Sequence, residues 1–449
     1  NAGNPVMTLF DPRKRMLLSF CVILSLLSIG TSTNALSLTF KQTVAELVVS
    51  NKKLAKFYES TGYAPLWIGT SNLHRNRRSA FFKAISSADT HGLPVLRYNP
   101  KELKKQARTA RTQKDLAAIE VSMSQTFLTY AADIQTGLLI PKKISKDIQR
   151  KVPYRDHFSY LKNFAKSNPA AFLKALPPKH PEYARLLREK LRFERIVARA
   201  SWGTALDLTQ LRPGDTGKQV VKLRNRLIAM GYLKRNLRRK YDSKLQAAVT
   251  AFQKDHGLNA DGVAGPATLS ELNTPAKRRL QSIIVAMERI RWNNKDLGER
   301  HVLVNLTDFT AKIIQNDEVT FRTRSVVGAN MESRRTPEFS DIMELMVINP
   351  TWHVPRSIAV TEYLPVLQED PLALDHLILY DDFGLPVNRA MHDFNMFDEQ
   401  TFPFDVKQLP SPGNALGLVK FLFPNPYNIY LHDTPEKSLF SKDRRTFSH

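Results

Sequence analysis

Cysteine is almost absent: the 449-residue chain has one, Cys21. It lies inside an apolar run near the amino terminus, so the rest of the chain is without a thiol. A disulfide framework and a cysteine metal site are excluded there. Zinc-ligand spacing is missing too, since no His-Glu-x-x-His or comparable pair occurs. That removes the basis for a zinc peptidase or amidase, and neither a metal nor another cofactor is expected. Acidic charge is scarce, with 42 Asp and Glu against 66 Lys and Arg, a formal net charge of +24. Such a surplus favours a polyanionic partner: nucleic acid, anionic lipid or cell-wall polymer. Charge alone does not choose among them.

The apolar run, residues 16–29, is shorter than the ~20 residues a membrane span requires. Arg13, Lys14 and Arg15 precede it, and small or polar residues 30–34 and then Ala35 follow. This is the order of a secretory signal, residues 1–35, with cleavage expected after Ala35. Residues 1–6 lie upstream of an initiator candidate, Met7, and read as extra leader. A membrane tether is expected only if the signal stays uncleaved. Either way the bulk of the chain is exported, which argues against nucleic acid as the partner.

A chain of this length suggests about three units. Residues 38–200 read as a helical domain, with apolar residues at helical spacing in 44–58, 80–87, 116–134, 161–176 and 183–197. Pro177 and Pro178 separate the last two, because proline removes a donor and blocks helix continuation. His91 and Gly92 read as a helix end. Residues 207–273 form a three-helix miniature. Asp215 or Thr216 is the expected cap of a first helix ending at Gly231, Leu245 to Phe252 lie on a second, and Gly265 with Pro266 opens a third. From His301 the period shortens to that of strands, and Asn316 and Asp317 mark a hairpin turn. Residues 280–449 read as a mostly antiparallel β domain. Within it, about 355–404 is rich in Pro, Asp and aromatics with weak periodicity, and reads as an inserted lid. The fold class expected is multidomain α+β.

Two stretches carry a family resemblance. Leu211-Arg-Pro-Gly-Asp-Thr-Gly, the run 220–233, Ala248-Val-Thr-Ala-Phe-Gln and Gly257-Leu-Asn-Ala-Asp-Gly-Val-Ala-Gly-Pro-Ala-Thr-Leu resemble the peptidoglycan-binding domain found beside many wall enzymes. The other reading, a DNA-binding helix pair carrying Arg224, Arg226, Arg235, Arg238 and Arg239, conflicts with export. Further on stand Asn349-Pro-Thr-Trp-His-Val-Pro355, Ser411-Pro-Gly-Asn-Ala-Leu-Gly-Leu-Val-Lys-Phe-Leu-Phe-Pro-Asn, Tyr430-Leu-His-Asp-Thr-Pro and Arg445-Thr-Phe-Ser-His449. These resemble the catalytic domain of the L,D-transpeptidases (YkuD type), in the large Gram-negative form with a helical scaffold and a peptidoglycan-binding domain.

The resemblance implies a periplasmic enzyme that acts on peptidoglycan stem peptides and glycan. In that family the His-x-x-Thr-Pro strand end is followed by Ser-x-Gly-Cys, whose cysteine is the nucleophile. Ser448 and His449 match its first two positions. The glycine and cysteine are then expected at 450 and 451, the cysteine 19 residues after His432. The 449-residue chain, lacking them, is expected to be inactive. The thiolate would be generated by His432 as general base and would form a thioester with a stem peptide, which a neighbouring amine resolves into a 3,3 crosslink. Tyr430 is expected to contact substrate, orient the imidazole or simply pack. Trp352 is expected in the core or cleft wall, and Ser448 and His449 near the substrate. A non-catalytic peptidoglycan-binding or scaffold protein is the rival.

Overall fold

A computed structural model describes residues 37–199, 202–332, 334–442 and 444–448. The signal expected over 1–35, Cys21 and His449 lie outside the described residues. Among the described residues no helix is long and apolar enough to cross a membrane. The chain divides into two compact units.

The first unit combines residues up to 88 with 94–131 and 155–174. It is helical: Leu38–Val48, Lys52–Ser60, Asn72–Ser86, Pro100–Thr109, His157–Lys166 and Pro169–Lys174 belong to it, with the greater part of Gln113–Thr136. Ser37, Asn51, Ser71 and Asp156 cap four of these helices, each side chain accepting from a backbone N–H of the first turn. Trp67, Phe81, Phe127 and Phe164 form the aromatic centre, with Phe127 and Phe164 centroids 4.6 Å apart. Glu120 is fully buried beside them. It accepts from the backbone N–H groups of Leu66, Trp67 and Ile68 and from the Tyr58 hydroxyl, so the turn entering Trp67 is tied to the helix that carries Glu120.

The second unit holds 89–93, 132–154 and 175 onward. Helices Pro181–Ala198 and Ala276–Trp292 pack together, and Arg291, almost fully buried, joins them by donating to the Tyr183 hydroxyl at 2.9 Å. Between them in sequence lies the miniature with helices Lys218–Met230, Ser243–Asp255 and Pro266–Leu272. Leu223, Leu227, Leu245, Val249 and Phe252 are its core. The N-cap of the first helix lies beyond both expected positions, one residue after Thr216 and two after Asp215. Gly217 is its N-cap, and Asp215 instead accepts from the N–H of Arg212. Two arginines that suggested a basic DNA-facing surface are internal struts. Arg224 pairs with Asp242 at 3.0 Å, and Arg226 donates to backbone carbonyls of Leu272 and Thr204.

The last segment is built of short strands. An antiparallel sheet joins β1 (Arg300–Asn305), β2 (Thr310–Gln315) and β3 (Glu318–Arg324). Asn316 and Asp317 both have positive φ, 51° and 64°, the two left-handed residues that a two-residue hairpin with native twist demands. β4 (Val327–Gly328) follows, then β5 (Leu345–Ile348), β6 (Trp352–His353), β7 (Ile378–Tyr380), β8 (Asp405–Gln408), β9 (Val419–Leu422), β10 (Leu431–His432) and β11 (Thr446–Ser448). Sheets run β10-β9-β5 and β6-β8-β7, all antiparallel, while β11 pairs with β4 in parallel. Multidomain α+β is therefore the fold class.

The stretch read as irregular between about 355 and 404 has a core of its own. Leu364, Leu367, Leu379, Phe394, Phe402 and Phe404 are buried against one another, under helix Leu364–Glu369 and the β6-β8-β7 sheet. Its elements are too short for any period to show in the sequence.

Candidate functional site

The chain segments of β5-β6 and β8-β9 run side by side as one antiparallel ribbon. Ile348 pairs with Val419, the Asn349 N–H donates to Leu418, and Trp352 then pairs with Gln408. Residues 409–418 bulge from this ribbon, and two buried amides hold the bulge. Asn414 donates to the carbonyls of Gln408 and Leu409 and accepts from the N–H of Leu416, while Gln408 donates to Gly413 and accepts from Ala415. Backbone groups that the sheet leaves unpaired are thus satisfied inside the loop. Gly417 closes it at φ +61°, and a Cβ there would stand 2.5 Å from that of Asp433. Only glycine fits such a position.

Beyond the bulge, β9 presents Lys420 opposite His432 on β10. The His432 ring is exposed at its rim, and its Nδ1 lies 2.5 Å from the Asp433 carbonyl oxygen. A carbonyl only accepts, so the contact places a proton on Nδ1 and leaves Nε2 of the neutral ring as the free base. Lost hydration on the inner side of the ring, and then the Lys420 charge, hold its pKa below the ordinary 6.5, against the opposing pull of the Asp433 carbonyl and carboxylate. Lys437 pairs with Asp433 and keeps that carboxyl below its usual range.

Tyr430 lies one residue before the two-residue β10, just after the turn in which Asn425 holds Ile429. Its ring carries the Lys420 ammonium 3.9 Å from the centroid and faces Phe423 at 6.2 Å. Trp352 on β6 meets Tyr363 edge to face at 6.4 Å and packs against the core of the insertion. Ser448 ends β11, its carbonyl accepting from the Ala329 N–H at 2.8 Å. Arg445, buried at the head of that strand, donates to the carbonyls of Ser325, Phe309 and Lys442.

His432, Lys420 and Tyr430 are therefore brought together, whereas Trp352 and Ser448 stand on other sheets. Among the described residues no hydrogen bond or ring contact joins those two to His432, and no group of three His, Cys, Asp or Glu side chains is placed to hold a metal ion. Lys420 escaped the sequence reading. Its alternation within β9 was visible, but its register against His432 depends on a turn whose length sequence does not reveal.

With this geometry in hand, three family models match the chain. Residues 299–449 match the model described as "L,D-transpeptidase catalytic domain", 52–191 the "Scaffold domain", and 216–272 the "Putative peptidoglycan binding domain". A protein of Haemophilus influenzae described as "Putative L,D-transpeptidase" is 32% identical over 149 residues. The match takes in 33% of this chain and spans 30% of that relative's length.

Proposed function

We propose, from the match of residues 299–449 to the L,D-transpeptidase catalytic-domain model, that the protein is an exported, periplasmic enzyme that joins peptidoglycan stem peptides through 3,3 crosslinks. The observation that carries this reading is His432, its Nδ1 proton committed to the Asp433 carbonyl and its Nε2 left free as a base. The nucleophile is a cysteine at position 451, behind Ser448, His449 and a glycine. His432 takes its proton, and the thiolate attacks the carbonyl of the third, diamino-acid residue of a tetrapeptide stem. The imidazolium returns the proton to the departing D-alanine amine, leaving a thioester. The side-chain amine of a second stem then attacks, loses its proton to His432 and releases the thiolate, which is reprotonated. Backbone N–H groups around the Gly-Cys step would stabilise the oxyanion. No cofactor takes part.

Trp352, Tyr430, Ser448 and His449 are assigned to the walls of the stem-peptide site. The domain plan follows the same reading: signal 1–35, scaffold 38–200, peptidoglycan-binding unit 207–273 and catalytic domain 280–449, with 355–404 as a lid that keeps water from the thioester. The glycan and stem peptides are the partners.

The test compares polypeptides ending at His449 with polypeptides carrying Gly-Cys and the residues that follow, each incubated with disaccharide tetrapeptide. Chromatography with mass detection should find 3,3-linked dimers from the second alone. A non-catalytic wall-binding scaffold, favoured by the self-contained core of the miniature, would yield dimers from neither and would still sediment with sacculi.

A further inference from the structure

Segment 145–150, inside the stretch that matches the scaffold model, runs beside residues 335–340 as a short parallel strand. The Glu338 N–H donates to the Asp147 carbonyl at 2.7 Å, and the Gln149 N–H to the Glu338 carbonyl at 2.8 Å, around the bridge of Ile148 with Glu338. Side chains lock the same register. Arg335 donates to Asp147 at 2.9 Å, and Glu338 lies between Arg150 and Arg289. The next residue inward, Thr336, accepts from the Gly328 N–H at 2.8 Å, and the chain passes so close that a Cβ on Gly328 would stand 2.1 Å from the Arg334 carbonyl oxygen. Gly328 is the end of β4. Its neighbour Ala329 holds the Ser448 carbonyl, and β4 pairs with β11 through a bulge.

An unbroken series of bonds therefore leads from Asp147 to Ser448. A cavity of about 320 Å³ sits among these groups, lined by Asp147, Gly328, Arg335, Thr336, Glu338 and Thr446. It lies on the Thr446 side of β11, and Thr446 and Ser448 are half-buried while Phe447 between them is exposed. The cavity thus backs the strand and does not open on the Phe447 face.

We infer that segment 145–150 is a clamp on the strand that ends at Ser448, with Asp147 and Glu338 as positioning residues. The structural part of this inference stands alone; its catalytic meaning rests on the proposed function. A bulged two-strand pairing has few bonds of its own to hold register, and a nucleophile placed at its end tolerates little displacement. The clamp supplies the missing constraint from the far side of Thr336.

Hydrogen exchange on the 449-residue chain reads the clamp without turnover. Asp147→Ala and Glu338→Gln should speed exchange of the Gly328 and Ala329 amides about fivefold, leaving β1 and β2 unchanged, as local opening dictates. The exchanged pair Asp147→Arg with Arg335→Asp should restore protection. Unchanged exchange in the single variants, or loss spread evenly through β1 to β3 that the exchanged pair does not rescue, overturns the clamp. In the cysteine-bearing polypeptide, Asp147→Ala should lower the acylation kcat about tenfold with KM unchanged. A rise in KM at constant kcat overturns the positioning role. Failure of the unsubstituted cysteine-bearing polypeptide to acylate overturns the proposed function instead, and the exchange result separates the two.

Discussion

Lys420 stands opposite His432 on the neighbouring strand, and its charge opposes protonation of the imidazole. The direction of the shift makes a prediction. The general base proposed for His432 works deprotonated, so a pKa below 6.5 would keep it competent into more acidic solution than a free imidazole. Nuclear magnetic resonance titration of the 449-residue chain should give His432 a midpoint below 6.5, and Lys420→Gln should move it upward. A midpoint that Lys420→Gln leaves in place would remove Lys420 from the site. His91 is shifted further, to about 4, by burial and then by the charges of Arg291 and Lys190, while its Nδ1 meets the Tyr183 hydroxyl at 3.1 Å. Its folded pKa lies below the unfolded value of ~6.5, so protonation favours the unfolded chain. The stability it contributes is intact above pH 6.5 and is lost as pH falls toward 4, by about 3 kcal/mol in all. Thermal midpoints measured across that window should fall less steeply in His91→Asn. His91 read as a helix end in sequence, and its burial was invisible there because Tyr183 and Arg291 are 92 and 200 residues away.

The helices of the miniature were legible apart from the N-cap of the first, since glycines and apolar spacing are local signals that tertiary packing reinforces. Residues 207–273 alone should fold by circular dichroism and sediment with purified sacculi. Retention at 1 M salt, where the Debye length is ~3 Å, would mark shape recognition, and release there would mark adsorption by charge. Leu227→Ala, at a fully buried position, should cost about 2–5 kcal/mol and abolish sedimentation of the isolated unit. The insertion was legible only as an interruption. Its core of Phe394, Phe402 and Phe404 joins segments that no single period connects, and so its helices and strands went unseen. As a lid it should exchange amide hydrogens faster than β5 and β9, with uniformly slow exchange across both arguing against lid motion. The strand ends were the least legible elements. β10 is two residues long, and the turn before it is held by the Asn425 side chain on Ile429, a side-chain bonding choice that alternation cannot reveal.

For the whole molecule, the order helical, three-helix, β was readable because each part changes the spacing of its apolar residues, and the fold class follows from that order. The pairing among distant strands was not readable. β11 joins β4 across more than a hundred residues, and the clamp of Asp147 on Arg335 crosses a longer gap still. Surplus positive charge suits an anionic wall but names no reaction. The proposed chemistry rests on one covalent event, the capture of a stem peptide by a cysteine that His432 would activate. Intact-protein mass spectrometry after mixing the cysteine-bearing polypeptide with disaccharide tetrapeptide tests it most directly. A thioester adduct accompanied by one free D-alanine should form, greatly diminished in His432→Ala and missing from the polypeptide that ends at His449. Crosslinking by the polypeptide that ends at His449, or an undiminished adduct in His432→Ala, would contradict it.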